Sequence, residues 1–408
     1  MFKKLLVSSL ALAASVNAAS TCNKTEFAIT SQSDLDALSS CTTLTGDVIL
    51  SSDMVTANLN GIETIAGSLT ASNSSTLTSI IAPDLQTITG TLNLNTLTIL
   101  DTISFASLSS IGAIDWITLP HVTGLSFNTG VTSCPSVYIS DTSLTSLDGI
   151  DLSSVTTLDL NNNLYLSEVS MDLSYASNSI DISFNGNSAT ISFPSLLWAN
   201  NLTIQDVESV SIPKLSTVNG SLLLINNTFT SFEASNLTTA GGITIDDNDE
   251  LTNISFPKLT TINEAGLEIA NNSQLDDLSG FPVLKTDNGA LTLYGDFDNA
   301  TFPDLTLVKG AVTVKSTGDF SCATFNKMKS SSNIKGSKYT CSAASSSTSA
   351  SSTSTSSSTH AASSSSAAST TTSSSSAASS SSAASPALVG TSSTLVGGIL
   401  AAIFFGVF

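Results

Sequence analysis

Gly242-Ile243-Thr244-Ile245, then Phe256-Pro257-Lys258-Leu259, then Gly266-Leu267-Glu268-Ile269: this stretch decides the fold. After each glycine, apolar and polar residues alternate, the period-two pattern of a half-buried strand. The same unit recurs as Gly220-Ser-Leu-Leu-Leu, Gly289-Ala-Leu-Thr-Leu and Gly310-Ala-Val-Thr-Val, and earlier as Gly67-Ser-Leu-Thr-Ala and Gly90-Thr-Leu-Asn-Leu. The glycines at 220, 242, 266, 289 and 310 are spaced by 22, 24, 23 and 21 residues. The second marker precedes them as Phe193-Pro194-Ser195-Leu196, Ile212-Pro213-Lys214-Leu215, Phe281-Pro282-Val283-Leu284 and Phe302-Pro303-Asp304-Leu305, and in the early part as Ala82-Pro83-Asp84-Leu85. A period of this length identifies a stacked array of similar units.

With one evident strand per unit, strands of successive units must lie side by side and parallel. The glycine is expected to give a tight entry into the strand. The proline is expected on the return segment, outside any hydrogen-bonded ladder. Three residues beyond the second inward strand position stand Asn163, Asn185, Asn227, Asn248 and Asn272. Leucine-rich repeats carry Asn at this phase, where its amide bonds backbone that would otherwise be buried unpaired. The expected fold is all-β: a right-handed parallel β-solenoid of about 12–13 rungs, leucine-rich-repeat-like. Its phase is blurred between Ile99 and Ser133.

The flanks differ. Met1-Phe2-Lys3-Lys4 and the apolar Leu5–Val16 form a secretory leader, with cleavage expected after Ala18. After Cys341 the composition becomes Ser, Thr and Ala, too polar to offset its ordering entropy. In a secreted chain it reads as a disordered O-glycosylated stalk. Extended at about 3.3 Å per residue, some 40 residues reach on the order of 130 Å. The final apolar run, Leu395–Phe408, is shorter than a membrane span and carries no flanking cation. With a polar spacer before it and the small residues Ser382 and Ala383 upstream, it matches a GPI attachment signal. The divisions expected are a leader at 1–18, the solenoid at 19–341, the stalk at 342–382 and a removed signal at 383–408, with Ser382 or Ala383 carrying the lipid.

An oxidising compartment makes cysteine pairing the default. Cys22 and Cys41 are 19 apart near one end of the repeats, and Cys322 and Cys341 are 19 apart near the other. Two stapled caps are expected, with Cys134 left unpaired and buried. Nine Asn-x-Ser/Thr sequons are expected to be glycan sites: Asn23, Asn73, Asn201, Asn219, Asn226, Asn236, Asn253, Asn271 and Asn299. Asn226 and Asn271 each precede a ladder Asn by one residue and are expected to face outward.

The formal charge is −20, and loss of Lys3 and Lys4 makes it −22. All twelve basic residues are Lys. Nucleic acid and anionic lipid headgroups, which need a basic surface, are therefore poor partners. A β-helix enzyme acting on polysaccharide would have to use Asp246-Asp247-Asn248-Asp249-Glu250, a segment also weighed as a calcium ligand set. It lacks the glycine and distal glutamate of an EF-hand loop, and Asn248 belongs to the ladder. His121 and His360 are the two imidazoles, so a nucleophile triad has one candidate base within the repeats. No cofactor motif is present, and a non-enzymatic role is expected.

Gly-x-Leu-x-Leu strands, Phe-Pro-x-Leu returns, terminal cysteine pairs, a Ser/Thr stalk and a GPI-type tail occur here in one order. In this the chain resembles the fungal GPI-anchored cell-wall organisation proteins related to sporulation-specific wall proteins, which carry receptor L-domain-like repeats, so the resemblance implies a receptor L-domain-like solenoid. The resemblance implies an extracellular glycoprotein of the plasma membrane and wall, needed for wall integrity and morphogenesis, with no assigned catalysis. Wall glucan or mannoprotein are the partners it implies, beside the membrane reached through the lipid. Alternating strand positions predict one outward, sequon-free column of Ser68, Thr91, Thr244, Glu268, Thr292 and Thr313. Within it Thr244, Glu268 and Thr292 are the candidate binding face.

Overall fold

The computed structural model describes residues 21–186 and 188–343. The leader, nearly all of the stalk, and Ser382 and Ala383 lie outside the described residues. Eighteen strands form one parallel sheet that runs through the repeats, and the chain winds into a β-solenoid of about 13 turns. Its regular coils show how a unit is built. Thr217–Ile225, Thr239–Asp246, Thr261–Ala270 and Ala290–Gly295 are successive strands of the main sheet. Their register is in phase: Leu223 pairs with Thr244, Thr244 with Glu268, and Glu268 with Thr292.

Eight coils also have a second, three-residue strand that the period-two reading missed. Asn253–Ser255 pairs with Ser231–Glu233, and Glu168–Ser170, Thr190–Ser192 and Ser209–Ser211 form another such sheet. Three residues are too few to show alternation above chance. Phe-Pro-x-Leu follows these short strands and turns the chain. The Leu259 N–H donates to the Phe256 carbonyl at 3.2 Å, and Leu305 repeats the bond to Phe302 at 3.2 Å. Pro257 occupies the turn position where its fixed φ is an advantage and its missing N–H is no loss.

The glycine expectation needs correction. The strand begins before the glycine, as Thr239-Ala240 shows, and the register shifts there between coils. Glycine is required for close approach and not for strand entry. A Cβ on Gly310 would collide with the Gly289 carbonyl of the preceding coil, and the Gly310 N–H donates to that same carbonyl at 2.7 Å. At Gly266 the backbone also adopts φ +99°, which L side chains avoid.

Inside the coil, the inward strand residues are fully covered, among them Ile243, Ile245, Leu267 and Leu293. Such side chains each contribute roughly 1.5–3 kcal/mol, but only when the neighbouring coil covers them. The phenylalanines of the return motif, with Phe232 of the preceding short strand, stack along the axis. Phe232, Phe256, Phe281 and Phe302 have successive ring separations of 5.6, 4.8 and 5.7 Å.

The asparagines form the predicted buried ladder. Asn248 Oδ1 accepts from the Asn227 backbone N–H at 2.9 Å, and Asn272 Oδ1 accepts from that of Asn248 at 3.0 Å. Asn248 Nδ2 donates to the Leu224 and Asp246 carbonyls, both at 3.0 Å. Asn163 and Asn185 repeat this arrangement, with Thr142 Oγ1 donating to Asn163 Oδ1 at 2.6 Å. Val207 interrupts the series, and its N–H is taken by Asn227 Oδ1 at 3.1 Å. The residue before each ladder position turns through positive φ: Asn162 at 56°, Asn226 at 52° and Asn271 at 53°.

Disulfides join Cys22 to Cys41 and Cys322 to Cys341. Each loop contains a short helix, Gln32–Asp36 and Ala323–Ser330. These helices place Leu35 and Phe325 over the ends of the core. Cys134 is free and buried, and burial pushes its thiol up to about 11. In the blurred segment the coil keeps the ordinary length, Asp115 pairing with Tyr138 23 residues on, but the connection between strands Ser110–Leu119 and Ser136–Thr142 holds isolated bridges only.

One buried carboxyl makes the fold sensitive to pH. Asp287 is wholly buried; Oδ1 accepts from the Gly289 N–H at 2.9 Å, while Oδ2 has no partner among the described residues. Burial raises its pKa to about 6 from 3.8. The acid is thus neutral in the fold at pH values where the unfolded chain is ionised. The stability this gives is complete below the unfolded value and is lost as pH rises from about 4 through 6, by about 3 kcal/mol. Asp287→Asn should therefore flatten the acid-to-neutral decline in melting temperature and leave the variant the more stable protein at pH 7; differential scanning calorimetry reads both. Asn248→Ala, which orphans two donors and two carbonyls in the ladder, should cost about 3 kcal/mol in urea unfolding.

Candidate functional site

Every second residue of a main-sheet strand faces away from the core, and the parallel register gathers these residues into columns across the coils. Thr244, Glu268, Thr292 and Thr313 occupy one column on four successive coils. Ser68 and Thr91, expected in it, belong to the neighbouring column: the Thr91 N–H donates to Ser68 Oγ at 3.1 Å, and Thr70 and Asn93 take the Thr244 position. Ser68 and Thr91 follow their glycines by one residue, whereas Thr292 and Thr313 follow theirs by three, so the two sets face the same way but stand two residues apart along the strand.

The column continues backward as Leu223, Thr203, Asp181, Asp159, Tyr138 and Asp115. The acidic members were not legible from the motif: the coils of Asp159 and Asp181 lack its glycine, and Asp115, three residues after Gly112, is placed in the column by register. Asn161 Nδ2 donates to Asp159 Oδ1 at 2.7 Å, and Ser140 Oγ donates to Asn161 Oδ1 at 2.7 Å. Burial raises the pKa of both Asp159 and Asp181, with the Asp159 charge adding to the effect on Asp181. Burial is also the main cause of the raised pKa at Asp246 and Glu268; Asp247 adds to the first and Asp246 to the second.

The acidic segment at 246–250 is divided by the fold. Asp246 ends a sheet strand, Asp247 turns at φ 56°, and Asn248 is buried in the ladder. No set of three or more His, Cys, Asp or Glu suited to a metal ion occurs among the described residues. His121 is exposed in the turn after Pro120.

The sequons take several positions. Asn73, Asn226 and Asn271 are exposed at the positive-φ turn that ends a main-sheet strand. Asn271 Nδ2 donates to Asp246 Oδ1 at 3.0 Å, and Asn299 Nδ2 to Asp277 Oδ1 at 2.9 Å. Asn23, Asn219 and Asn253 are exposed, whereas Asn236 is half-buried and donates to the Pro213 carbonyl at 2.7 Å. Asn201 stands in the sheet, in the column next to Thr203, where its Oδ1 accepts from the Ser221 N–H at 3.1 Å. The face is thus free of sequons in its Thr244–Thr313 column but not in every column.

A solenoid with a broad polar sheet face defines a class of extracellular repeat protein. The chain is 38% identical to protein ecm33 of Aspergillus fumigatus, over 84% of its own length and 86% of that protein. It is 35% identical to a cell surface GPI-anchored protein of Arthroderma benhamiae, covering 83% and 87% of the two chains. It is 39% identical to the cell wall mannoprotein PST1 of Saccharomyces cerevisiae, covering 76% and 70%. No family model matches the chain. No solved structure matches it. The chain belongs to the family of fungal GPI-anchored cell-surface and cell-wall proteins that includes these relatives.

The proximity of Asp246 and Glu268 generates a direct expectation. Asp246→Asn should lower the titration midpoint of Glu268 and leave it above that of an exposed glutamate, since burial persists. Carbon-13 NMR titration of the Glu268 carboxyl measures this; an unchanged midpoint would show that the two charges do not interact.

Proposed function

We propose that the protein is a non-enzymatic, lipid-anchored surface glycoprotein that supports wall organisation, integrity and morphogenesis by contact through its sheet face. The observation that carries this is the column Thr244–Glu268–Thr292–Thr313, held in register over four coils. Coil spacing of about 4.8 Å fixes the interval between these hydroxyl and carboxylate groups. Such an array suits an extended partner; a small substrate needs a concave site that surrounds it. A wall glucan chain, or the glycan of a mannoprotein, offers hydroxyls in an extended repeat and is the partner class proposed. Attachment at Ser382 or Ala383 with the 342–382 stalk would hold the solenoid outside the membrane, and glycans on the nine sequons would cover much of the remaining surface.

Changing Thr244, Glu268 and Thr292 together to Lys leaves the inward Ile and Leu residues intact and tests the face. The variant should reach the cell surface, be released there by a phosphatidylinositol-specific phospholipase, and fail to restore wall integrity. Full restoration would make the face inert. If Asp246→Ala or Asp249→Ala alone abolished function in a folded protein, a catalytic or calcium-dependent role would replace contact.

A further inference from the structure

The middle of the solenoid differs from the later coils in charge, glycan sites and exposed apolar surface. From Thr25 to Pro213 the chain contains eighteen Asp and Glu residues and no Lys or Arg; from Lys214 to Lys338 there are nine lysines. None of the sequons falls between Asn73 and Asn201. Within this interval Leu164, Tyr165 and Phe184 are 70%, 66% and 55% exposed. They lie on two successive coils, at the edge where the main-sheet strands Ser154–Asn161 and Tyr175–Ser183 end.

Phe184 is the informative residue. It occupies the positive-φ turn position, at φ 55°, which nine other coils fill with Asn, Asp or Thr. A bulky side chain is unfavourable in this conformation. Burial does not compensate, because the ring is largely in solvent. An aromatic that adds strain and gains little packing points to a role outside folding. Three residues before it, on the strand that leads into the turn, is Asp181, whose Oδ1 is shielded from solvent and accepts no hydrogen bond among the described residues.

We propose that this stretch of the sheet face docks an extended, Lys/Arg-bearing segment of a second protein. The segment would lie from the Asp115–Tyr138–Asp159–Asp181 column to the Leu164, Tyr165 and Phe184 edge. Charge complementarity selects the occupant. Uncompensated carboxylates attract a cationic chain over several ångströms, whereas a neutral polysaccharide gains nothing from them at long range. Tyr165 and Phe184 supply apolar contact and ring faces over which a guanidinium or ammonium group is favourable. The proposal is independent of the Thr244–Glu268–Thr292 surface, which lies on later coils.

The test uses the intact glycosylated protein and fluorescence anisotropy. The probes are a labelled nonapeptide of alternating Lys and Leu, a neutral β-glucan hexaose and a chitosan hexamer. The peptide should bind, with affinity falling about tenfold between about 50 and 500 mM salt as screening shortens. Phe184→Asn introduces the residue type found at this phase in other coils; it should raise the melting temperature by about 1–3 °C while weakening the peptide about tenfold. Tyr165→Ala should weaken it similarly. Asp115→Asn with Asp159→Asn should reduce the salt dependence. The proposal is overturned if the peptide does not bind, if Phe184→Asn stabilises the fold with binding unchanged, or if either saccharide binds more tightly than the peptide.

Discussion

Parallel main-chain hydrogen bonding between coils, held in register, is the constraint on which the rest of this structure depends. Each coil has one long strand and cannot satisfy its own backbone, so its N–H and C=O groups are satisfied by the coils before and after it. Where the strand ends, the chain must turn while still buried, and no ladder partner remains. Asn163, Asn185, Asn227, Asn248 and Asn272 act there, each amide accepting from or donating to backbone of an adjacent coil. An apolar residue of similar volume would fill the space and leave the turn unpaired.

Two further requirements follow from the same stacking. Backbones meet so closely at the register shift that glycine recurs there, and the Gly289–Gly310 contact shows why a Cβ is excluded. On the return side each of these coils turns one ring inward, so Phe232, Phe256, Phe281 and Phe302 stack as a column. The array has two open ends with unpaired strands. The disulfide loops and the helices Gln32–Asp36 and Ala323–Ser330 cover the end cores, as end units of repeat proteins must.

The proposed contact surfaces sit on the part of the coil that the fold leaves free. Inward positions, ladder asparagines and spine glycines are fixed by packing, whereas outward strand positions are constrained only by solubility and β preference. The face has therefore diverged along its length. Later coils carry Thr244, Glu268, Thr292 and Thr313, and middle coils carry Asp115, Tyr138, Asp159 and Asp181 at the same column position. One scaffold thus presents two chemically different surfaces, and membership of a wall-protein family gives both a plausible extracellular setting.

The sequence by itself determined the repeat, the parallel solenoid and the ladder phase, because these are local patterns: alternation, a recurring Phe-Pro-x-Leu and an Asn at fixed offset. Spacing alone also paired the terminal cysteines as the structure does. Tertiary structure decided what depends on register between coils. It moved Ser68 and Thr91 out of the Thr244 column, put Asn201 on the sheet face, and joined Asp159 to Asp181 across a coil boundary. It also showed Gly310 to serve close approach and Phe184 to be an aromatic in a turn meant for Asn. The physical reason is that a two-residue offset keeps the alternation and the facing of every side chain, yet it changes which side chains become neighbours once strands pair.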